Sequence, residues 1–131
     1  MVLVVFLSLM VIAGLAVDGG AQVRATQYAD MVAGESARAG AQRLDPGTTT
    51  GQAPALDGYA AAERAQTYMG EFDSSAYGKV TGTCQAQDTT VTCETTVVYH
   101  TIFLGIIGID TLTVHGHGQA QGTRTVDGQP R

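Results

Sequence analysis

MVLVVFLSLMVIAGLAV, residues 1–17, holds no charged side chain and only one polar one, Ser8. No turn signal interrupts it before an alanine-rich helical pattern that reaches Arg43. At 1.5 Å per residue, 17 helical residues cover roughly 25 Å, slightly short of the ~30 Å hydrocarbon core of a bilayer. A core helix of a soluble domain would show a polar stripe, and none is present here. The segment therefore reads as a membrane span with some help from residues 19–21. No basic residue precedes Val2, and Ala16-Val17-Asp18 makes a poor small-residue cleavage site. Met1 accordingly reads as an internal start or as the residue after a processed leader.

Beyond the apolar run, Ala21, Ala25, Ala29, Ala33, Ala37 and Ala41 recur every fourth residue. This spacing lines them along one side of a helix, where small side chains let another helix approach closely. Gly14 extends the small-residue surface into the apolar run. Alanine is also the best helix former, so propensity alone gives a second reading of the stripe. Leu44-Asp45-Pro46-Gly47 ends the helix, because proline cannot continue it and restricts the residue before it.

Composition bounds the remainder. A chain of 131 residues that spends about forty on a rod leaves a domain near the lower size limit for folding without a staple. The net charge of −5 and the absence of any basic cluster argue against nucleic acid, which requires a surface that neutralises phosphates.

Residues 56–69 carry a largely apolar face of helical period through Leu56, Tyr59, Ala60, Glu63, Ala65, Tyr68 and Met69. The period then changes. Residues 79–84 and 90–99 are rich in β-branched side chains and read as a hairpin. With Asp88 and Thr89 at its tip, or a four-residue loop of the same opposition, Gln87 faces Thr90, Ala86 faces Val91, Gln85 faces Thr92 and Cys84 faces Cys93. The cysteine pair then falls at a non-hydrogen-bonded site, whose Cα separation of ~4.5 Å a disulfide accepts. Two cysteines at this spacing match neither a zinc site nor a C-x-x-C redox pair. A disulfide at Cys84 and Cys93 places the domain in an oxidising compartment.

Residues 102–109, the second most apolar run, are too short to span a bilayer. They read as a buried turn or short helix plugging the core, with an exposed patch against membrane or a neighbouring subunit as the other possibility. Residues 110–120 alternate as a last strand, with Leu112, Val114, Gly116 and Gly118 inward and His115 and His117 on the opposite face. The tail from Gln121 is polar and expected to fray. His115 and His117 offer two metal ligands, but no local spacing brings a third. No context of a catalytic nucleophile surrounds Ser8, Ser36, Ser74 or Ser75, and Asp18-Gly19-Gly20 lacks the spacing and lysine of a phosphate loop. The expectation is a protein without catalytic, cofactor or metal sites.

Residues 12–20 (IAGLAVDGG), 24–33 (RATQYADMVA) and 37–41 (ARAGA) resemble the start of TadE/TadG-like proteins of the tight-adherence (Flp-type) pilus assembly system. The likeness is strongest over residues 2–41 and extends loosely to Val97-Val98-Tyr99, residues 103–109 and 111–114. It implies a minor-pilin or pseudopilin-like component of a bacterial cell envelope, with an N-terminal transmembrane helix, pilin-type subunits as partners and no catalytic activity. The expected fold is α+β: a membrane-anchored helix over 1–43, a linker over 44–54 and an outer domain over 55–131 with one helix on an antiparallel sheet. Gly14, Ala21, Ala25, Ala29, Ala33 and Ala37 are its expected helix-packing positions, toward membrane lipid, other subunits or a second copy. The expected location is the cytoplasmic membrane, single-pass, with the C-terminal domain outside. The rival reading is a secreted ligand- or protein-binding domain with a cleaved signal.

Overall fold

The computed structural model describes residues 1–42, 58–74, 77–87, 90–122, 125–126 and 129–130. The expected linker, Arg43 and the hairpin tip at Asp88 and Thr89 lie outside them. Helix α1 (Val2–Ala41) is unbroken over 40 residues, about 60 Å of rod. Its first half is bare: Val2, Leu3, Phe6, Leu9 and Ile12 all expose more than half of their surface. Its second half is a layer of a folded core, with Ala25, Ala29, Val32, Ala33 and Ala37 fully buried.

A short second helix, α2 (Gly58–Gly70), buries Ala61, Ala65 and Met69. These lie four residues apart and form one helical stripe. The buried face is rotated from the one expected, since Tyr59 is almost wholly exposed. The chain then makes a small pairing of β1 (Asp73–Ser74) with β2 (Gly78–Lys79), so Lys79 belongs to that turn and not to the main sheet. The main sheet is antiparallel and ordered β3 (Thr81–Gln87), β4 (Thr90–His100), β5 (Thr111–Gln121). In the tail, β6 (Thr125–Val126) pairs with β7 (Gln129–Pro130) where the sequence suggested only fraying.

Both helices cover one face of the sheet, α1 over β4 and β5, and α2 over β3 and against α1. Inward positions on the strands are Val91, Cys93, Thr95, Val97 and Tyr99 of β4 and Leu112, Val114, Gly116 and Gly118 of β5. The β5 alternation is the one read from the sequence. Gly116 and Gly118 let the rod lie directly on the strand: a Cβ at 116 would overlap the Ala29 backbone, and one at 118 would overlap that of Gly34. The buried Thr95 hydroxyl donates to the Ala29 carbonyl oxygen at 2.7 Å, tying β4 to the same turn of helix.

The hairpin register matches the expected one at every pair from Gln87 opposite Thr90 to Cys84 opposite Cys93. The two cysteines are bonded, with Cα atoms 4.1 Å apart, and Cys93 is fully buried on the core face. At the edge of the sheet on β3, the Gln66 side chain donates to the Gly82 carbonyl at 2.7 Å and accepts from the Cys84 N–H at 3.0 Å. On the β5 edge, the Asp30 carboxylate accepts from the His117 N–H at 3.0 Å.

Candidate functional site

Where α1 leaves its apolar half, it meets the connection between β4 and β5. This connection is built around a single turn of 3-10 helix, Leu104–Ile107. Gly108 closes the turn with φ of 95°, a left-handed conformation that glycine adopts without steric cost. The ends of the loop are pinned by the Thr101 N–H donating to the Asp110 carbonyl at 3.0 Å, and by the Thr101 hydroxyl donating to the Ile109 carbonyl.

Asp18 holds the loop from below. Its carboxylate accepts three backbone N–H groups, from Ile102 at 3.0 Å, Phe103 at 3.1 Å and Leu104 at 2.8 Å. The side chain is 3% exposed, so these donors replace the water that a charged carboxylate would otherwise need. One turn earlier, the Phe103 ring rests on Gly14, where any Cβ would come within 2.7 Å of ring carbons. The loop and helix together line an apolar cavity of about 300 Å³ between Leu7, Met10 and Leu15 on one side and Leu104, Ile106 and Ile107 on the other.

This corrects the reading of residues 102–109 as a core plug. Ile102, Ile106 and Ile107 are largely exposed, 65%, 80% and 72% respectively. The run does form a short helix, yet its isoleucines point away from the core and toward the level of the bare half of α1. An eight-residue apolar run is equally well satisfied by protein or by lipid, and composition alone does not separate the two.

The other positions singled out by sequence fall as follows. Ala25, Ala29, Ala33 and Ala37 are buried, with the chain's own sheet and α2 against this half of the helix, and Ala21 is half-buried at the margin of that core. Close approach is indeed what the small residues permit, but the element received is a strand of the same chain. Among the described residues, helix positions 1–13 are exposed throughout. His115 and His117 stand on the outer, polar face of the sheet, where His115 Nδ1 lies 3.2 Å from the Thr96 hydroxyl. No three metal-capable side chains come together among the described residues.

The architecture is pilin-like. A long N-terminal apolar helix runs into a small domain, with its second half packed on a disulfide-bonded antiparallel sheet. α1 is long and apolar enough to cross a membrane. No family model matches the chain, and no curated protein or solved structure matches it either.

The sequence brought Asp18 up only beside a poor cleavage site and a failed phosphate loop, and gave it no role in holding a loop. The available signal was its isolation, since it is an acid set directly after 17 uncharged residues with no basic neighbour until Arg24. Asp18→Ala is expected to strip amide protection from residues 101–110 while leaving β3 and β4 protected. Hydrogen exchange of the full chain in detergent micelles would reveal this pattern, and a loop that stayed protected would show that Asp18 does not hold it.

Tyr99, also missed, is 2% exposed and its hydroxyl finds no hydrogen-bond partner among the described residues. Burial pushes its phenol pKa up, and the Asp18 charge adds to the push. Burying a hydroxyl without a partner costs roughly 1–3 kcal/mol. Tyr99→Phe should therefore leave stability unchanged or raise it by up to about 1 kcal/mol, part of that cost being recovered. A thermal melt that dropped clearly would mean that the hydroxyl is bonded.

Proposed function

We propose that this chain is a non-enzymatic, pilin-like component of a tight-adherence pilus or a related cell-envelope assembly, anchored by its N-terminal helix. The observation that carries the reading is one helix serving two environments. Residues 1–13 are exposed on all sides and, Ser8 apart, apolar, while the same helix from Ala25 to Ala41 is a core layer of a sheet domain. A rod of this kind transmits its position in the bilayer rigidly to the domain it carries. The likeness to TadE/TadG-like proteins in residues 2–41 supports the choice of system.

Disulfides persist in oxidising compartments, which supports placing the domain on the extracytoplasmic face of a bacterial cytoplasmic membrane. The work of the protein is assembly: the uncovered stretch of α1 meets lipid and the apolar helices of other subunits, of another type or of a second copy. Such contacts in lipid depend on close packing and not on hydrophobic driving force. The acidic net charge of −5 is consistent with a protein-facing role and not a nucleic-acid-facing one.

Membrane fractionation followed by an alkaline wash, with protease added to spheroplasts, tests the anchor and its orientation together. The expected result is a full-length chain that stays with the membrane and loses its C-terminal domain to external protease. Uncleaved chain in the soluble fraction would overturn the reading. A secreted form whose sequence begins after Ala16 would favour the binding-domain alternative. A photocrosslinking residue at Leu9, in cells, is expected to capture another helix-anchored envelope protein; capture of lipid alone would remove the assembly role.

A further inference from the structure

The β4–β5 connection lies against the membrane-facing half of α1, carries no charge from Thr101 to Ile109, and presents isoleucines that no described part of the domain covers. We infer that this loop is a second membrane contact, a wedge that inserts Ile102, Ile106 and Ile107 among the acyl chains of the outer leaflet beside α1. The inference rests on the anchor reading above and adds a contact that an anchored helix alone does not require.

Depth is the first argument. The apolar segment covers roughly 25 Å against the ~30 Å of hydrocarbon, so a spanning α1 draws Asp18 down to the boundary of the bilayer. The loop is hung on Asp18, and Phe103 meets the helix at Gly14, four residues or about 6 Å further in. Interfacial elements sit about 5–10 Å below the headgroup boundary. The loop therefore reaches the depth such elements occupy.

Backbone satisfaction is the second argument. Polar backbone can enter the hydrocarbon margin only if its groups are paired within the protein. Here Asp18 accepts the N–H groups of Ile102, Phe103 and Leu104. The N–H groups of Thr101, Ile106, Gly108 and Ile109 donate to carbonyls of the loop and its ends. A loop exposed to water gains little from this economy, because water would serve the same groups. The apolar cavity shared by the loop and α1 is continuous with the uncovered surface of the helix. Its occupant is accordingly the same as the helix's, a lipid acyl chain.

The chain contains no tryptophan, so a single introduced one reports its own surroundings. Three full-length variants in phosphatidylcholine vesicles, with lipids brominated along the acyl chain as quenchers, make the test: Ile106→Trp in the loop, Leu9→Trp in the span, and Thr113→Trp on the exposed outer face of β5. The expected result is blue-shifted emission and loss of most intensity at positions 106 and 9, and water-like, unquenched emission at 113. Quenching at 9 without quenching at 106 would overturn the wedge and leave the anchor standing. Blue-shifted but unquenched emission at 106 would also overturn it, because protein and not lipid would then cover the loop. Absence of quenching at 9 would remove the anchor and the wedge with it.

Discussion

Valine in place of Gly116 is expected to separate the long helix from the sheet and abolish the cooperative unfolding transition of the domain. The Cβ at this position would fall on the Ala29 carbonyl group and come within 2.5 Å of the Asp30 nitrogen. Those atoms are helix backbone, held by α1's own hydrogen bonds, and cannot swing aside as a side chain would. Ordinary overpacking of a core costs roughly 1–3 kcal/mol. A side chain driven into helix backbone where α1 lies directly on β5 should exceed that range. The Thr95 hydroxyl would also lose its bond to Ala29, leaving a buried donor unpaired. Gly118→Val should behave alike, because its Cβ would meet Gly34.

Gly34→Ala supplies the opposite sign. A Cβ there meets nothing within 4 Å, and alanine in a helix interior is better than glycine by roughly 0.5–1 kcal/mol. Thermal melts in micelles should place Gly34→Ala above the parent chain and Gly116→Val far below it. Similar melting of all three would mean that the rod does not seat on β5.

Removing the bond between Cys84 and Cys93 by Cys→Ala substitution at both positions is expected to lower stability by about 2–3 kcal/mol. The loop it closes spans a sequence separation of 9, and closing so short a loop restricts the unfolded chain by roughly that amount. Alanine is preferred to serine because Cys93 is fully buried, where a hydroxyl would add a desolvation cost unrelated to the crosslink. The hairpin itself should survive, since Val91, Thr95 and Val97 of β4 are held by the helices independently of the bond. Urea titration of the oxidised, reduced and double-alanine chains would check this. Equal midpoints for all three would show that the unfolded ensemble is already restricted by the turn.

Much of this arrangement could be read directly from residues. A hairpin tip at Asp88 and Thr89 set the register, the two cysteines agreed with it because a disulfide demands opposed positions, and β5 declared its inner face through Leu112, Val114, Gly116 and Gly118. What the alanine stripe could not declare was its partner. Small residues announce that some backbone comes close, and a helix or a strand satisfies the spacing equally. The complementary sign lay more than 80 residues away from the turns it contacts, in the paired glycines of β5, whose own smallness was read merely as a place in the core. The loop held by Asp18 was less legible still. Its three donors come from residues more than 80 positions along the chain, and no local pattern connects a lone carboxylate with backbone groups at that distance. The rotation of α2 came from a simpler cause: Tyr59 contributes to an apolar count although its position faces outward.

The side chains at the two borders of the sheet bear on what happens when copies of this chain are crowded together. A membrane or a filament holds domains at high local concentration, and an open strand border invites another chain to add itself as a further strand. In mid-β3 the amide of Gln66 already occupies the carbonyl and N–H that an incoming strand would use, and in β5 Asp30 occupies the His117 N–H. A neighbour would have to displace a charge on one side and a two-point amide contact on the other before templated stacking could begin. Strand addition at these two borders is thereby impeded.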